Sequence, residues 1–253
     1  MQKSFAQIST GSRITKAADD AAGLSISEGL KSDIRSYTQA QRNTNDGISL
    51  IQVAEGAMGE VSNMMTRLRE LAIQASSDTV GDQERGFIQK EVDQLKSEVQ
   101  RIAESTKFGD KHLLNGEGGT YDFQVGIEAD PEVNSISLDA AETDVTLANL
   151  GIESLDFSSK SGAQSSLENI DEAQVQLNGY RANMGALQNR LVTTTENIGS
   201  SIENVSTANS RIRDADIAKS SAELAKNQVL QQATASVLSQ ANQQPKQALR
   251  LIG

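Results

Sequence analysis

The 253-residue sequence has no cysteine and no tryptophan, and it has only one histidine. Without cysteine, disulfide bonds and thiolate metal sites are excluded. The lone histidine, His112, leaves no histidine pair for a metal site, and a surface position is the better interpretation, since most histidines are neither ligands nor bases. Aromatic residues make up 3% of the chain, so we do not expect a compact core built on large rings.

Proline is almost absent as well, occurring only at positions 131 and 245. Because a proline inside a helix costs ~3 kcal/mol or more, its scarcity permits very long helices elsewhere. No apolar run approaches the ~18 residues of a membrane span, and residues 1–10 lack the apolar region of a Sec-type signal peptide. The net charge of −11 argues against a nucleic-acid backbone or an anionic membrane as the main partner. We therefore expect neither nucleic-acid binding nor membrane insertion.

The strongest pattern that is present is an apolar repeat of seven residues near the C-terminal end. Its members are Ile170, Leu177, Met184, Leu191, Ile198, Val205 and Ile212. Such a repeat keeps one stripe of an α-helix against a partner, with a slight left-handed supercoil. A helix over residues 165–213 would be on the order of 70 Å long, so we expect it to lie against other long helices.

Two segments nearer the N-terminus can supply those helices. Residues 39–75 and residues 82–105 each have an apolar seam with alternating steps of three and four, as helices that bury one face do. The break between them is short, which predicts an antiparallel helical hairpin. Before them, Gly23 and Gly29 interrupt the pattern and predict short helices with an irregular connector over residues 13–38.

The region from 107 to 162 has a different character. Residues 121–125 and 135–138 alternate between apolar and polar side chains, which predicts one or two β-hairpins. The sequence therefore predicts a mainly α protein: a long antiparallel coiled-coil or helical-bundle rod with a small central β-hairpin region.

A last helix is predicted from Asp214 towards the C-terminus. Ile217, Leu224 and Leu238 lie at multiples of seven, but the step from Ile212 to Ile217 is five. This phase slip predicts a bend or a new partner near Asp214. Because this stripe has no obvious partner within the chain, we expect these three residues to take part in assembly.

No group of residues has the pattern of an active site, and we predict neither enzymatic activity nor a metal or cofactor. Asp19 and Asp20 are adjacent carboxylates, but helix capping or pairing with an arginine fits them better, because no base or nucleophile accompanies them. Asp214 and Asp216 follow two arginines, and local ion pairs at a helix break are a better interpretation than a metal half-site. The glycines near position 117 are not followed by the Lys-Ser/Thr of a phosphate loop.

Several motifs resemble those of bacterial flagellins. Near the N-terminus they are Ser-Thr-Gly-Ser-Arg-Ile at 9–14, Ala-Ala-Asp-Asp-Ala-Ala-Gly-Leu at 17–24, Asn-Thr-Asn-Asp-Gly-Ile at 43–48, Arg-Leu-Arg-Glu-Leu-Ala-Ile-Gln at 67–74 and Phe-Gln-Val-Gly at 123–126. Near the C-terminus they are Ser-Arg-Ile-Arg-Asp-Ala-Asp-Ile-Ala at 210–218, Gln-Val-Leu at 228–230 and Ser-Val-Leu-Ser-Gln-Ala-Asn-Gln at 236–243. They cover both ends of the chain, in order.

The resemblance implies a structural subunit of the bacterial flagellar filament, a helical homopolymer that acts as a propeller for motility. It implies terminal helical arms, 1–12 and 214–253, that form the inner filament core, and a rod domain, 13–213, with a β region at about 107–162. It also implies an extracellular location, export by the flagellar type III pathway and an export chaperone. Flagellins begin with a further apolar helical stretch before the position matched by Met1, so we expect the N-terminal part of the core to be incomplete here. The short middle region indicates a minimal form without outer variable domains.

The resemblance also suggests a host Toll-like receptor as a partner. In flagellins that this receptor detects, a helical arginine, a leucine one turn later and a glutamate on the next helix form the contact patch. The matching positions are Arg67, Leu71 and Glu91. Residues four apart share a helix face, so Arg67 and Leu71 can present one patch, with Leu71 at the edge of the seam. The alternative is that Leu71 widens the core stripe and Arg67 pairs with a neighbouring acid.

Two other functions fit part of the sequence. A hook–filament junction protein shares the terminal motifs, but such proteins tend to carry a proline near the Asp-Asp motif, and residues 17–22 have none. A soluble coiled-coil scaffold would explain the seven-residue repeat but not the C-terminal motifs.

Overall fold

The computed structural model describes residues 2–252, with side chains up to residue 241. Its helices are α1 (Gln2–Thr10), α2 (Ala21–Ala75), α3 (Asp82–Ser105), α4 (Pro131–Asn134), α5 (Lys160–Arg213) and α6 (Ile217–Ile252). Its strands are β1 (Lys107–Phe108), β2 (Lys111–His112), β3 (Thr120–Gln124) and β4 (Ser135–Asp139), and a single 3-10 turn covers Ala141–Thr143. The predicted mainly α class with a small β region is confirmed.

The chain divides into two compact units, and α2 and α5 each contribute to both. The terminal unit combines Met1–Ser36 with Ser201–Gly253, and the central unit is Tyr37–Ser200. The predicted limits of the arms and the rod lie at the helix breaks and differ from the limits of these two units. The division into arms and rod therefore remains a prediction. The outermost residues of the predicted arms, Met1 and Gly253, lie outside the described residues.

The central unit is built around an apolar core shared by α2, α3 and α5. Met58 and Met65 of α2 are fully buried, as are Val92 and Val99 of α3. Five members of the seven-residue repeat on α5 are buried in this unit: Ile170, Leu177, Met184, Leu191 and Ile198. Val205 and Ile212, which belong to the terminal unit, are half-buried. At about 1.5–3 kcal/mol for each buried aliphatic side chain, this seam is a main source of the stability of α5.

The predicted helical hairpin is confirmed, with α2 ending at Ala75 and α3 starting at Asp82. Arg85 holds the turn together, because its buried guanidinium donates hydrogen bonds to the carbonyls of Ala75 (2.9 Å) and Ser77 (3.0 Å). These carbonyls come at the C-terminal end of α2, where backbone acceptors lack partners within the helix. Asp82 completes the arrangement through an ion pair of 2.9 Å with Arg85.

The β region consists of two antiparallel strand pairs, of which β3–β4 was predicted and β1–β2 was not. β1 pairs with β2, and β3 pairs with β4 in a register that joins Thr120 to Asp139 and Gln124 to Ser135. Ile136 and Leu138 of β4 point into the core, 3% and 5% exposed. This side of the β3–β4 hairpin packs on the helices of the central unit.

The prediction of short helices and a connector over residues 13–38 was wrong beyond residue 20. Helix α2 begins at Ala21 and runs for 55 residues through Gly23 and Gly29. A glycine costs a helix only ~1 kcal/mol relative to alanine, and packing provides most of the stability of a helix in a protein. Asp20 also fixes the start, because its carboxylate accepts a hydrogen bond of 2.8 Å from the backbone N–H of Gly23.

Candidate assembly and recognition surfaces

The terminal unit contains a junction where the two ends of the chain meet, formed by residues 11–20 and 210–216. Ser12 and Asp214 form an isolated antiparallel bridge, and the N–H of Ala215 donates to the carbonyl of Gly11 over 2.9 Å. Gly11 has a φ of +68°, which glycine adopts without the steric cost that other residues incur. Motifs that lie 200 residues apart in the sequence are thus hydrogen-bonded to each other; we call this the terminal junction.

Side chains strengthen the terminal junction around the end of α5. The guanidinium of Arg13 donates two hydrogen bonds, of 3.2 and 2.8 Å, to the carbonyl of Ile212, an acceptor left free by the end of the helix. Arg213 pairs with Glu28 of α2, and this hydrogen bond is the main cause of the lowered pKa of the Glu28 carboxyl. Local pairing of Arg213 with the nearby aspartates was therefore the wrong prediction, because its side chain reaches α2 instead.

Asp20 has the capping role that the sequence favours, whereas Asp19 pairs with a lysine and not with the expected arginine. The Asp19 carboxylate accepts hydrogen bonds from the backbone N–H (3.2 Å) and the hydroxyl (2.9 Å) of Thr15, and it pairs with Lys3 of α1 at 3.0 Å. The pKa of Asp19 falls from 3.8 to about 2, first through the Lys3 contact and then through Thr15. The charged carboxylate therefore holds α1 to the segment before α2.

This arrangement predicts a dependence on acid. A carboxyl whose pKa is lowered on folding contributes stability that is present above its unfolded pKa, 3.8, and is lost as the pH falls through the folded value of about 2. Asp19→Asn should therefore lower the thermal stability at neutral pH, and the difference from the unmodified chain should shrink towards pH 2. Asp122→Asn, at an exposed position of β3, is the control and should have no such effect. A pH-independent difference for Asp19→Asn would contradict this assignment.

Asp214 and Asp216 accept hydrogen bonds from neighbouring side-chain and backbone groups. Asp214 accepts a hydrogen bond from the Ser210 hydroxyl, and Asp216 accepts one of 3.0 Å from the N–H of Lys219 at the start of α6. The described residues contain no group of three histidine or acidic side chains arranged to hold a metal ion. His112 is exposed, with its ring Nδ1 3.1 Å from the Glu104 carbonyl.

Helix α6 exposes apolar side chains along most of its described length. α1 packs against α6, where Ser4 and Ser220 are both buried. α1 comprises 9 residues and α6 comprises 36. The exposed fractions on α6 are 46% for Ile217, 64% for Val229, 51% for Leu230, 66% for Val237 and 66% for Leu238. Leu224 is half-buried. Exposed apolar surface of this extent marks an interaction site.

None of the helices within the described residues has the length and apolarity needed to cross a membrane. The apolar side chains of α6 alternate with polar ones, and its sequence includes Lys219, Glu223 and Lys226.

In the suggested receptor patch, the structure brings two of the three residues to the surface together. Arg67 and Glu91 form an ion pair of 2.8 Å between α2 and α3, with side chains 48% and 45% exposed, and Arg67 also contacts Glu70 at 3.0 Å. These two carboxylates, Glu70 first, raise the pKa of Arg67. Leu71 is only 1% exposed, so its predicted position at the edge of the seam was wrong. Because α2 packs against both α3 and α5, its buried face is wider than one seam.

Among the exposed apolar residues of the central unit that sequence reasoning missed are Ile73, Phe87 and Val175. Each is next to or near a seam residue and so resembles part of a wide core stripe. A signal was available for Phe87, because it directly precedes the seam residue Ile88 and therefore points about 100° away from it.

Comparison with known proteins gives matches over nearly the whole chain. Two family models match, described as the bacterial flagellin N-terminal helical region, over residues 1–118, and the C-terminal helical region, over residues 167–252. A flagellin of Halalkalibacterium halodurans is 41% identical over 251 residues, which cover 99% of this chain and 91% of the relative. The flagellin of Bacillus subtilis is 38% identical, covering 99% of this chain and 92% of the relative. The crystal structure of Bacillus cereus flagellin superposes with a TM-score of 0.55 at 29% identity, covering 62% of this chain and 88% of that chain.

Proposed function

Since the chain belongs to the bacterial flagellin family and is a structural subunit of the flagellar filament, we propose that it enters the filament through its terminal arms, residues 1–12 and 214–253. The observation that carries the proposal is the exposed apolar face of α6, on which Leu230 and Leu238 are 51% and 66% exposed. In a helical assembly each subunit covers its neighbour through contacts that do not close into a ring. Such contacts would bury the face that α1 leaves open.

The energetics are consistent with assembly by the arms. Burying an aliphatic side chain contributes about 1.5–3 kcal/mol, so a few exposed residues of α6 suffice to stabilise each contact against the entropy lost on association. The net charge of −11 on every subunit opposes assembly, and dissolved salt screens this repulsion. Polymerisation should therefore be favoured by increasing salt.

Ultracentrifugation of the full chain at increasing salt, followed by negative-stain electron microscopy of the pellet, tests this proposal. We expect filaments from the full chain and none from a variant that ends before Ile217. Filaments of equal yield from the shortened variant would show that the arm is dispensable. A full chain that stays soluble as a dimer or trimer would indicate a coiled-coil scaffold instead.

We further propose that the chain leaves the cell through the flagellar type III pathway and that an export chaperone holds α6 before export. The exposed α6 residues support this, because an apolar helix face in a concentrated cytoplasm invites premature assembly. In co-expression with a flagellin chaperone, we expect the unmodified chain to co-purify and a Leu230→Asp, Leu238→Asp variant to be lost from the complex. Equal recovery of the unmodified chain and the variant with the chaperone would mean that the chaperone binds another part of the chain.

We also propose that the unassembled subunit presents Arg67 and Glu91 to the host Toll-like receptor. Their ion pair, 48% and 45% exposed, supports a contact patch of fixed geometry across α2 and α3. Leu71, being 1% exposed, would act by packing beneath this patch. Truncating Leu71 to alanine would cost ~2–5 kcal/mol of stability. A fall in signalling by that variant would therefore not distinguish unfolding from loss of the receptor contact.

The receptor proposal predicts that Arg67→Ala weakens signalling by the monomer roughly tenfold, equivalent to about 1.4 kcal/mol. Arg69→Ala is a matched control, because Arg69 is 45% exposed and pairs with Asp171 at 2.7 Å. A receptor-reporter assay on both variants, with fold checked by circular dichroism, makes the comparison. Equal signalling from the two variants, or silence from the unmodified monomer, would end the proposal.

A further inference from the structure

Two groups of exposed side chains lie at one level of the central unit. Arg67 pairs with Glu91 of α3, and Arg69, two residues later on α2, pairs with Asp171 of α5. These ion pairs, 2.8 and 2.7 Å long, place the parts of α3 and α5 around those residues at the same height along α2. Since α2 contacts both helices, it lies between the two groups in the same subunit.

The first group forms a shallow, open surface of about 700 Å³ along one face of α5, lined by residues of this helix alone, which we call the acidic groove. Its apolar residues are Leu167, half-buried, and Val175, 73% exposed. Its acidic residues include Glu168 and Glu172, and neither forms an ion pair with any of the described side chains. The groove is therefore an apolar surface with a negative rim.

From the helix geometry we infer that Ile73 of α2 lies beside the acidic groove. It is 53% exposed and lies one turn after Arg69. Helices α2 and α5 are antiparallel, because Glu28 near the start of α2 pairs with Arg213 at the end of α5, whereas Arg69 near the end of α2 pairs with Asp171 near the start of α5. One turn after Arg69 is therefore opposite one turn before Asp171, which is the position of Leu167. An exposed isoleucine beside a half-buried leucine leaves apolar area for a partner to cover.

The second group is a projection on α3. Phe87 is 60% exposed, and the amino group of Lys90 lies 5.7 Å from the centre of its ring. No carboxylate is within ion-pair distance of Lys90 in the part of the chain whose side chains are described. The projection thus combines a large apolar side chain with a cation that has no acidic partner.

We propose that Phe87 and Lys90 of one subunit dock into the acidic groove of a second copy of this chain, a contact that rests on the proposed function. Phe87 would cover Val175 and Leu167, and Lys90 would meet the carboxylates of Glu168 and Glu172. The contact joins two different surfaces and so adds subunits without closing. Pairing of two acidic grooves would instead bring like charges together, which opposes association.

The absence of cysteine makes this contact directly testable by cross-linking. A Phe87→Cys, Val175→Cys variant, assembled into filaments and oxidised, should give a ladder of disulfide-linked multimers on a non-reducing gel. A disulfide requires Cα atoms within about 7 Å. Phe87→Cys, Val192→Cys is the matched control, since Val192 is also exposed (40%) and lies roughly 25 Å further along α5. It should give no ladder.

Charge reversal provides a second, independent readout. Lys90→Glu should slow filament growth at low salt roughly tenfold through the loss of charge complementarity, and adding Glu172→Lys should restore much of the rate. Filaments of the Phe87→Cys, Val175→Cys variant without a ladder, together with no effect of Lys90→Glu, would overturn the docking contact and leave the filament function intact. If the unmodified chain forms no filaments, the proposed function fails, and the contact fails with it.

Discussion

Leu230→Asp combined with Leu238→Asp should abolish polymerisation of the full chain while leaving its thermal unfolding almost unchanged. The two side chains are 51% and 66% exposed in the subunit, so the folded monomer loses little when they are replaced. In the filament, each new carboxylate would have to be buried without a partner, which costs several kcal/mol. Sedimentation at the salt concentration that pellets the unmodified chain measures the effect.

The control for this prediction adds the same charge to another face of the helix. Ser236→Asp with Gln240→Asp changes two exposed polar residues of α6 and should leave most of the chain in the pellet. If the Leu230 and Leu238 variant pellets like the control, α6 is not buried in the filament. If both variants stay soluble, net charge and not apolar burial controls assembly.

Leu191→Ala should lower the free energy of unfolding of the central unit by ~2–5 kcal/mol, the usual cost of truncating a buried leucine. Leu191 is fully buried in the middle of the α5 seam, where its removal leaves a cavity between long helices that cannot easily close. Chemical denaturation followed by circular dichroism measures the change.

The adjacent residue gives a matched control for the seam. Val192→Ala removes methyl groups from a side chain that is 40% exposed, and Ser200→Lys changes an exposed position off the seam. Both should cost well under about 1 kcal/mol, as surface changes usually do. Equal losses for Leu191→Ala and Val192→Ala would mean that the seven-residue repeat does not define the buried face.

Local patterns were enough to predict the elements whose signals lie within one turn or one helix. Helix α3 has the predicted bounds because an acidic first turn, a regular seam and a short break all fall within residues 76–105. The same holds for the seam of α5 and for the β3–β4 pair. For α6, the lack of an internal partner for its stripe indicated exposed apolar residues.

Features that depend on distant parts of the chain could not be predicted in this way. Gly23 predicts a break that α2 does not have, because the sequence does not reveal the packing of this part of α2 on distant residues, such as the hydrogen bond from Ser27 to Asn209. Leu71 was placed at an edge because the pattern of one helix does not tell how many neighbours it has. The pairing of Arg213 with Glu28 joins residues 185 apart, and nothing in either local sequence points to the other.

Hydrogen exchange measured on monomer and filament, resolved to α6, tests most directly whether the terminal arm is buried on assembly. The account predicts rapid exchange of the backbone amides of residues 224–238 in the monomer, where the apolar face of this helix is open, and exchange slowed by orders of magnitude in the filament. Equal protection of these amides in monomer and filament would contradict it.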